Sequence, residues 1–460
     1  LLAIPERVHF VGIGGAGMSG LAKILLELGY RVSGSDLQST EVTRRLEAMG
    51  AVCYAGHAAE NIDGAGMLVL STAIKNGNPE LLAAREKNLP VIHRGELLAW
   101  LMGRQQGIAV AGAHGKTTTT SMLALVLEKN GLDPTIVIGG ELNDIGGNAK
   151  LGRGRYLVAE ADESDGSFLK LAPRAVIVTN VEDDHLDHYG TVDKIRACFR
   201  QFIERVPPEG TVVACLDDPG VQQVLTGFNG PLITYGIASG RADYTLGAVT
   251  LAGPNASAEV FFHGRSLGRL ELQVPGRHNL LNALAVVAMT GWLGLEFSPV
   301  AEALKEFHGA GRRFQMLGEV DGIKVVDDYA HHPSEIRATL AAARQMRPNR
   351  LITVFQPHRY TRTLLLRDKF AGAFSDADLL IVDEIYSAGE APIEGVTAEL
   401  IIEAVEKHDG RWVLHFKDRR EIIDYLAENA RPGDLIITMG AGNIWSVGVE
   451  LVARLRERKR

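Results

Sequence analysis

The chain has 460 residues, 46% of them hydrophobic and 23% charged, with a formal net charge of −8. That length exceeds one comfortable core and predicts two to four domains, while the acidic balance excludes a protein built mainly to hold nucleic acid, whose phosphates require a basic face. Cys53, Cys198 and Cys215 are widely spaced with no Cys-x-x-Cys, which excludes a disulfide framework or zinc ribbon and fits a reducing compartment.

Strand-like runs alternate with helical patterns, so an α/β architecture with largely parallel sheets is predicted. The first block, residues 1–104, opens with the strand VHFVGIGG, a helix over 18–28 and the strand YRVSGSD, followed by the apolar runs MLVLSTA and LPVIHR. LLAIPERVHF enters that first strand without a basic region or cleavage site, so no secretory signal is expected. Gly12, Gly14 and Gly17 occupy the strand-to-helix turn and Asp36 closes the next strand. Such a turn admits a pyrophosphate to the backbone, and the acid suits a ribose hydroxyl. It fits a nicotinamide dehydrogenase, and it equally fits the diphosphate of a UDP-sugar.

The second block, 105–312, begins with GIAVAGAHGKTTTT, an apolar strand followed by Gly112, Gly115, Lys116 and consecutive threonines. Glycines let backbone N–H groups close on phosphate oxygens, a helix N-terminus and Lys116 offset their charge, and Thr117 offers a hydroxyl to Mg2+. Val110 stands where the full pattern has its first glycine, so the motif is a shortened G-x-x-G-K-T. A second phosphate cradle is not needed for hydride transfer, which counts against the dehydrogenase; a protein using ATP as a conformational switch remains an alternative to an enzyme.

Downstream, RYLVAEADES ends in Glu160, Asp162 and Glu163, and RAVIVTN leads into VEDDHLDHYG with His185 and His188. Ligands collect at strand C-terminal ends in open α/β sheets, so these acids and His185 are candidates for magnesium or else line a solvated loop. His188, His57, His93 and His415 are read as structural or surface residues. The segments YTLGAVTLAG, AEVFFHG and LGRLELQV alternate at period two, predicting an antiparallel annex over 243–275. A helix over RHNLLNALAVVAMTGWLGL follows, with Asn279 and Asn282 on one face, suited either to an adenine edge or to capping and burial. Its most apolar part, 280–295, is interrupted by Asn282 and Thr290 and falls short of the roughly 20 apolar residues of a membrane span.

GAGRR at 309–313 reads as a hinge, with Arg312 and Arg313 able to reach a phosphate or to remain an exposed pair. The third block, 313–460, contains the strands IKVVDDY, RLITVFQ, DLLIVDE, RWVLHF and DLIITMG, a further doubly wound sheet. Asp327, Asp328, Tyr329, His331 and His332 follow one strand, and Arg359 and Arg362 follow the next. Arginines suit a carboxylate or phosphate, and a histidine or aspartate beside them can take a proton from an amine, unless surface salt bridges account for both groups.

Taken together, GIGGAGMSG, AGAHGKTTTT, EADESDGSFL, HLDHYG, GRHNLLNALA, GAGRRFQ, DDYAHHPSEI and FQPHRYTRT make the whole chain resemble the Mur ligases. The first of these motifs is similar to the alanine-adding branch rather than the branch that ligates a recycled tripeptide. The resemblance implies three domains: a Rossmann-like UDP-sugar domain, a P-loop ATPase-like central domain and a doubly wound amino-acid domain. It implies a cytoplasmic, ATP-dependent ligase of peptidoglycan assembly with UDP-N-acetylmuramate and L-alanine as substrates, an acyl phosphate intermediate, Mg2+ or alternatively Mn2+, no nucleic acid, no membrane insertion and an open oligomeric state. It places Gly112, Ala113, His114, Gly115, Lys116, Thr117, Thr118, Asn279, Asn282 and Arg312 at ATP. It places Gly12, Gly14, Gly15, Gly17, Met18, Asp36, Ser71, His185 and Tyr329 at the UDP-sugar. Thr117, Glu160 and His185 become metal ligands, and Lys116, His331, Arg359 and Arg362 catalytic residues. Two positions depart from the family pattern: Ala113 replaces its usual threonine and Asp183 the proline that commonly precedes Asp-His.

Overall fold

The computed structural model describes residues 3–142, 147–410 and 413–458. Its strands form three sheets. The first comprises β1 (Arg7–Val11), β2 (Arg31–Asp36), β3 (Val52–Ala55), β4 (Met67–Leu70) and β5 (Val91–His93), in the order β3-β2-β1-β4-β5. All neighbours are parallel, and β1 lies between β2 and β4, so the turn after β1 opens at the point where strand order reverses. The helix Ala16–Glu27 begins earlier than the sequence suggests because Gly15, in extended backbone, serves as its N-cap. It buries Met18, Leu21, Ala22, Ile24 and Leu25 against the sheet.

The second sheet has ten strands: β6 (Gln106–Ala111), β7 (Thr135–Leu142), β8 (Gly147–Lys150), β9 (Tyr156–Glu160), β10 (Ala175–Val178), β11 (Thr211–Cys215), β12 (Leu232–Gly236), β13 (Tyr244–Ala252), β14 (Asn255–Phe262) and β15 (Arg265–Leu272). β6 is flanked by β9 and β10, both parallel to it. The expected antiparallel annex is β13, β14 and β15, and it extends the same sheet through a parallel pairing of β12 with β13. The helix Lys116–Lys129 is buried from Thr117 to Leu127 and packs against the helix Arg277–Trp292. A helix covered on all sides explains its weak polar face.

The third sheet, in the order β16-β17-β21-β18-β19-β20, comprises β16 (Gln315–Val320), β17 (Ile323–Asp328), β18 (Arg350–Phe355), β19 (Leu379–Val382), β20 (Val413–His415) and β21 (Asp434–Met439). It is parallel except for β16, which pairs antiparallel with β17. Arg411 and Trp412, the start of the predicted strand RWVLHF, lie outside the described residues. Separate apolar clusters cover the two faces of this sheet. The segment joining it to the central sheet bends through positive φ at Gly309 (104°), Arg312 (57°) and Phe314 (50°). Among the described residues no helix is long and apolar enough to cross a membrane.

Candidate active site

The C-terminal ends of β6, β9, β10, β17 and β18 converge with the first helix of the N-terminal sheet around a cavity of about 700 Å3. At its floor lies the turn after β6. A Cβ at Gly112 (φ 142°) would sit 2.0 Å from Thr179 Oγ1, and one at Gly115 (φ 80°) 2.8 Å from Asn282 Oδ1, so both positions require glycine. Gly115 precedes the helix without a side-chain cap, which leaves first-turn N–H groups for an anion. Asn180 and Thr179 brace the turn: Asn180 Oδ1 accepts the His114 N–H (2.8 Å), while Asn180 Nδ2 (3.0 Å) and Thr179 Oγ1 (2.6 Å) donate to the His114 carbonyl.

Lys116 Nζ donates to Gly112 O (2.6 Å), Ala113 O (3.1 Å) and Glu163 Oε1 (2.7 Å). Burial disfavours the ammonium, but Glu163, Asp162 and Glu160 outweigh it and raise the Lys116 pKa. Burial pushes the Glu163 carboxyl up to about 7 against the pull of Lys116. Glu160 is also raised by burial, opposed by hydrogen bonds from Gly139 and Thr117, and its Oε1 is buried without a hydrogen-bond partner among the described residues. His185, in left-handed backbone, places Nε2 3.6 Å from Glu163 Oε1 and 3.5 Å from Asp184 Oδ2. Burial lowers its pKa and favours the neutral ring. His188 is exposed.

The third sheet supplies the opposite wall. Tyr329 is covered by Arg312 and Arg313, whose guanidinium carbons lie 4.9 and 5.0 Å from its ring centroid. Arg312 is turned onto the third sheet, with Nε 3.0 Å from Asp327 Oδ2, Nη1 2.9 Å from Gly442 O and Nη2 2.7 Å from Gly440 O. Arg313 faces Glu335 at 3.6 Å and lines the cavity beside it. His331 Nδ1 lies 3.1 Å from Tyr329 O and 3.2 Å from Glu335 Oε2, two acceptors that fix the proton on Nδ1 and leave Nε2 a lone pair. Burial pushes His331 down to about 3. Arg362 reaches across to Asp184 of the central sheet (3.0 Å) and also meets His358 Nδ1 (3.0 Å). Arg359 lines the same wall, 3.7 Å from Glu390 Oε1. Asp183 pairs with Lys369, a second bridge between these domains.

A neighbouring cavity of about 210 Å3 is lined by His114, Gly115, Thr118, Asn279, Arg313 and Asp328 among others. Asn279 donates to Pro275 O (2.7 Å) and lies 3.4 Å from the Asn282 amide, which sits behind it against Gly115. Asp328 thus faces this smaller space, while His331 faces the larger one.

From the N-terminal sheet, Ala16, Gly17 and Arg94 reach the large cavity. Asp36 Oδ2 accepts the Gly14 N–H (2.9 Å), and Ile74 N–H bonds to Ser71 O (3.1 Å) in the turn after β4. Gly12 (φ 79°) and Gly15 shape the first turn, whereas Met18, 3% exposed, belongs to the core. Arg94, at the end of LPVIHR, pairs with Asp162 and packs on Gly17. Neither Arg94 nor Glu335 was singled out by motif; the signal for Arg94 was only its place after an apolar strand. His57 pairs with Glu80 (3.2 Å), His93 caps the helix Arg94–Met102, and His415 lies between Glu384 and Glu399.

The chain matches the Mur ligase family catalytic domain over residues 7–106, the Mur ligase middle domain over 110–290 and the Mur ligase glutamate ligase domain over 312–442. It belongs to the Mur ligase family, which sets aside the nicotinamide dehydrogenase reading. It is 62% identical over 455 residues to UDP-N-acetylmuramate–L-alanine ligase of Pelotomaculum thermopropionicum, covering 99% of each chain. The protein of the same name from Desulforamulus reducens is 53% identical, with 98% of each chain covered. The crystal structure of UDP-N-acetylmuramate-alanine ligase from Thermotoga maritima superposes with a TM-score of 0.85 at 31% identity, over 98% of this chain and 99% of that one.

Proposed function

We propose that this chain is a cytoplasmic ligase of peptidoglycan synthesis that joins L-alanine to the lactoyl carboxylate of UDP-N-acetylmuramate, converting ATP to ADP and phosphate. The observation that carries the reading is a cavity of about 700 Å3 to which all three sheets contribute, lined by Lys116, His331, Arg359 and Arg362. Residues 1–104 hold the UDP-sugar, 105–312 hold ATP and 313–460 receive the amino acid. In the first part Gly12, Gly14, Gly15 and Gly17 admit the diphosphate, Asp36 and Ser71 meet the nucleoside, and Met18 supports the turn from the core. His185 and Tyr329 meet the sugar end in the shared cavity.

A carboxylate is a poor electrophile, so amide formation requires its activation. The lactoyl carboxylate attacks the γ-phosphate of ATP, giving an acyl phosphate and ADP. Lys116 leaves Glu163 for the phosphate oxygens, and the N–H groups of residues 115–118 at the uncapped helix start close on the phosphate chain. Adenine lies near Asn279, with Asn282 holding Gly115 in place. Thr117 and Glu160 fit Mg2+, or Mn2+, because a buried carboxylate oxygen without a partner stands beside a hydroxyl, and His185 offers a ligand for a second ion. When bound, the metal neutralises charge on the phosphoryl oxygens.

The alanine amine then attacks the acyl carbon, and the acyl C–O bond breaks to release phosphate. His331 Nε2 accepts a hydrogen bond from the amine and takes its proton as the C–N bond forms, when the nitrogen has become acidic. Arg359 and Arg362 face the departing anion, and Arg312 fixes Tyr329 and the closing segment. Closure excludes water from the acyl phosphate.

Heavy oxygen placed in the lactoyl carboxylate tests this route, because one of its oxygens must leave with phosphate. Labelled inorganic phosphate is expected. Label in AMP, or unlabelled phosphate from productive turnover, would sink the acyl-phosphate mechanism.

A further inference from the structure

We propose that His114, Glu182 and His332 form a second cation site, for a borderline transition ion such as Zn2+, that pins the C-terminal domain onto the phosphate loop and inhibits turnover. His114 comes from the turn after β6, Glu182 from the loop after β10, and His332 from the N-cap of the helix Pro333–Gln345 in the third domain. One ligand atom from each lies within 4.8 Å of the others. Glu182 Oε2 is 3.5 Å from His114 Nε2 and 3.5 Å from His332 Nδ1. Ligands about 2.0–2.1 Å from a tetrahedral ion stand about 3.4 Å apart, so these two spacings need little adjustment.

The Ser334 hydroxyl sits at the hub, 3.0 Å from His114 Nε2, 2.7 Å from His332 Nδ1 and 2.8 Å from Glu182 Oε2. It is in place to serve as the fourth ligand or to yield to water. Glu335 Oε1 lies 3.2 Å from His114 Nδ1 without an aligned hydrogen bond, so a small ring rotation would complete the carboxylate–histidine arrangement that aims the other ring nitrogen at a metal. Two imidazoles and one carboxylate favour zinc over magnesium, whereas the Thr117 and Glu160 oxygens favour magnesium. Because two ligands belong to the central domain and one to the C-terminal domain, an ion here holds the domains together, and product release requires them to part.

Co2+ titration of the full chain tests the site. The expected result is one equivalent with the intense visible absorption of a four-coordinate nitrogen-containing site, displaced by Zn2+. His332→Asn retains an N-cap side chain and should still fold. It and Glu182→Gln should each lose the intense band and weaken binding at least tenfold, while Glu160→Gln, which alters the oxygen site, should keep the band. Zn2+ at saturating Mg2+ should inhibit the unaltered chain and spare His332→Asn. An intense band that is absent from the unaltered chain, survives both His332→Asn and Glu182→Gln, or disappears in Glu160→Gln alone overturns the proposal, as does equal Zn2+ inhibition of His332→Asn.

Discussion

After β1 the chain turns through residues 12–15 into the helix Ala16–Glu27, and after β6 it turns through residues 112–115 into the helix Lys116–Lys129. Both turns leave a central parallel strand, both place glycine at positive φ, Gly12 in the first and Gly112 and Gly115 in the second, and both start a helix without a side-chain cap. The first, GIGGAGMSG, carries no cation of its own and already gives its Gly14 N–H to Asp36. The second carries Lys116, stored on Glu163. On the proposed assignment, one backbone device holds a diphosphate at the first turn and prepares a phosphoryl group for transfer at the second, where a cation is built into the helix start.

Removing that cation is the strongest way to break the contrast. Lys116→Ala should lower kcat about a thousandfold or more, on the scale of losing a charge-stabilising donor. Calorimetry should find UDP-N-acetylmuramate affinity unchanged; loss of it in a folded variant would show that the two turns do not act separately. At the first turn, Gly14→Ala places a Cβ 2.9 Å from Asp36 Oδ2 and should raise the KM for the UDP-sugar about tenfold through crowding of its backbone. The KM for ATP should stay within about twofold, and a matching rise in both would contradict the assignment.

A third test concerns what supports the first turn. The Ser35 carbonyl accepts the N–H groups of Gly12 (2.8 Å) and Ile13 (2.9 Å), and its hydroxyl donates to Glu80 Oε2 (2.6 Å). Burial raises the Glu80 pKa, but the nearby His9 ring, 3.7 Å away, and hydrogen bonds from Ser35 and Asn61 outweigh it and bring it from 4.5 down to about 2. A folded pKa below the unfolded one means that the carboxylate stabilises the fold above about 4.5, and that this contribution fades as pH falls towards 2. Glu80→Gln should remove that part of the acid sensitivity, read from unfolding midpoints across this range. An unaltered pH slope would mean that Glu80 is not the group responsible. The smallest effect is expected from Ala113→Thr, which adds a hydroxyl beside the second turn. ATP should bind equally or up to a few-fold more tightly, and a clear loss measured by calorimetry would mean that this loop has a different shape.

That Lys116, Glu160, His185 and His331 gather at one cavity was legible because each closely follows an apolar strand, whereas the roles proposed for them rest on the family resemblance. Arg94 was not, since its partner Asp162 is distant in sequence, and Glu335, which pairs locally with His331, has its other partners His114 and Arg313 brought to it only by the fold. Arg312 shows the converse: its residue type suggests a phosphate contact, but carbonyls of Gly440 and Gly442, delivered by β21, occupy its guanidinium. The same limit governs the sheets. β8 reads GNAK and lacks an apolar alternation, while β3 and β16 are edge strands with few or no buried side chains, so pairing rather than pattern makes them strands. β7 was obscured by its paired glycines.

For the closure proposed above, the anchoring of Arg312 limits where the C-terminal domain could pivot. Its side chain travels with the C-terminal domain, so the pivot lies before it, around Gly309 and Gly311, and Gly311 itself lines the large cavity. A fulcrum that close to the chemistry makes the domain a lever with a short inner arm and a long outer one. Small displacements of His331 and Arg359 correspond to a wide sweep at β20 on the far edge of the sheet, where a distance label would magnify closure that is nearly invisible at the cavity itself.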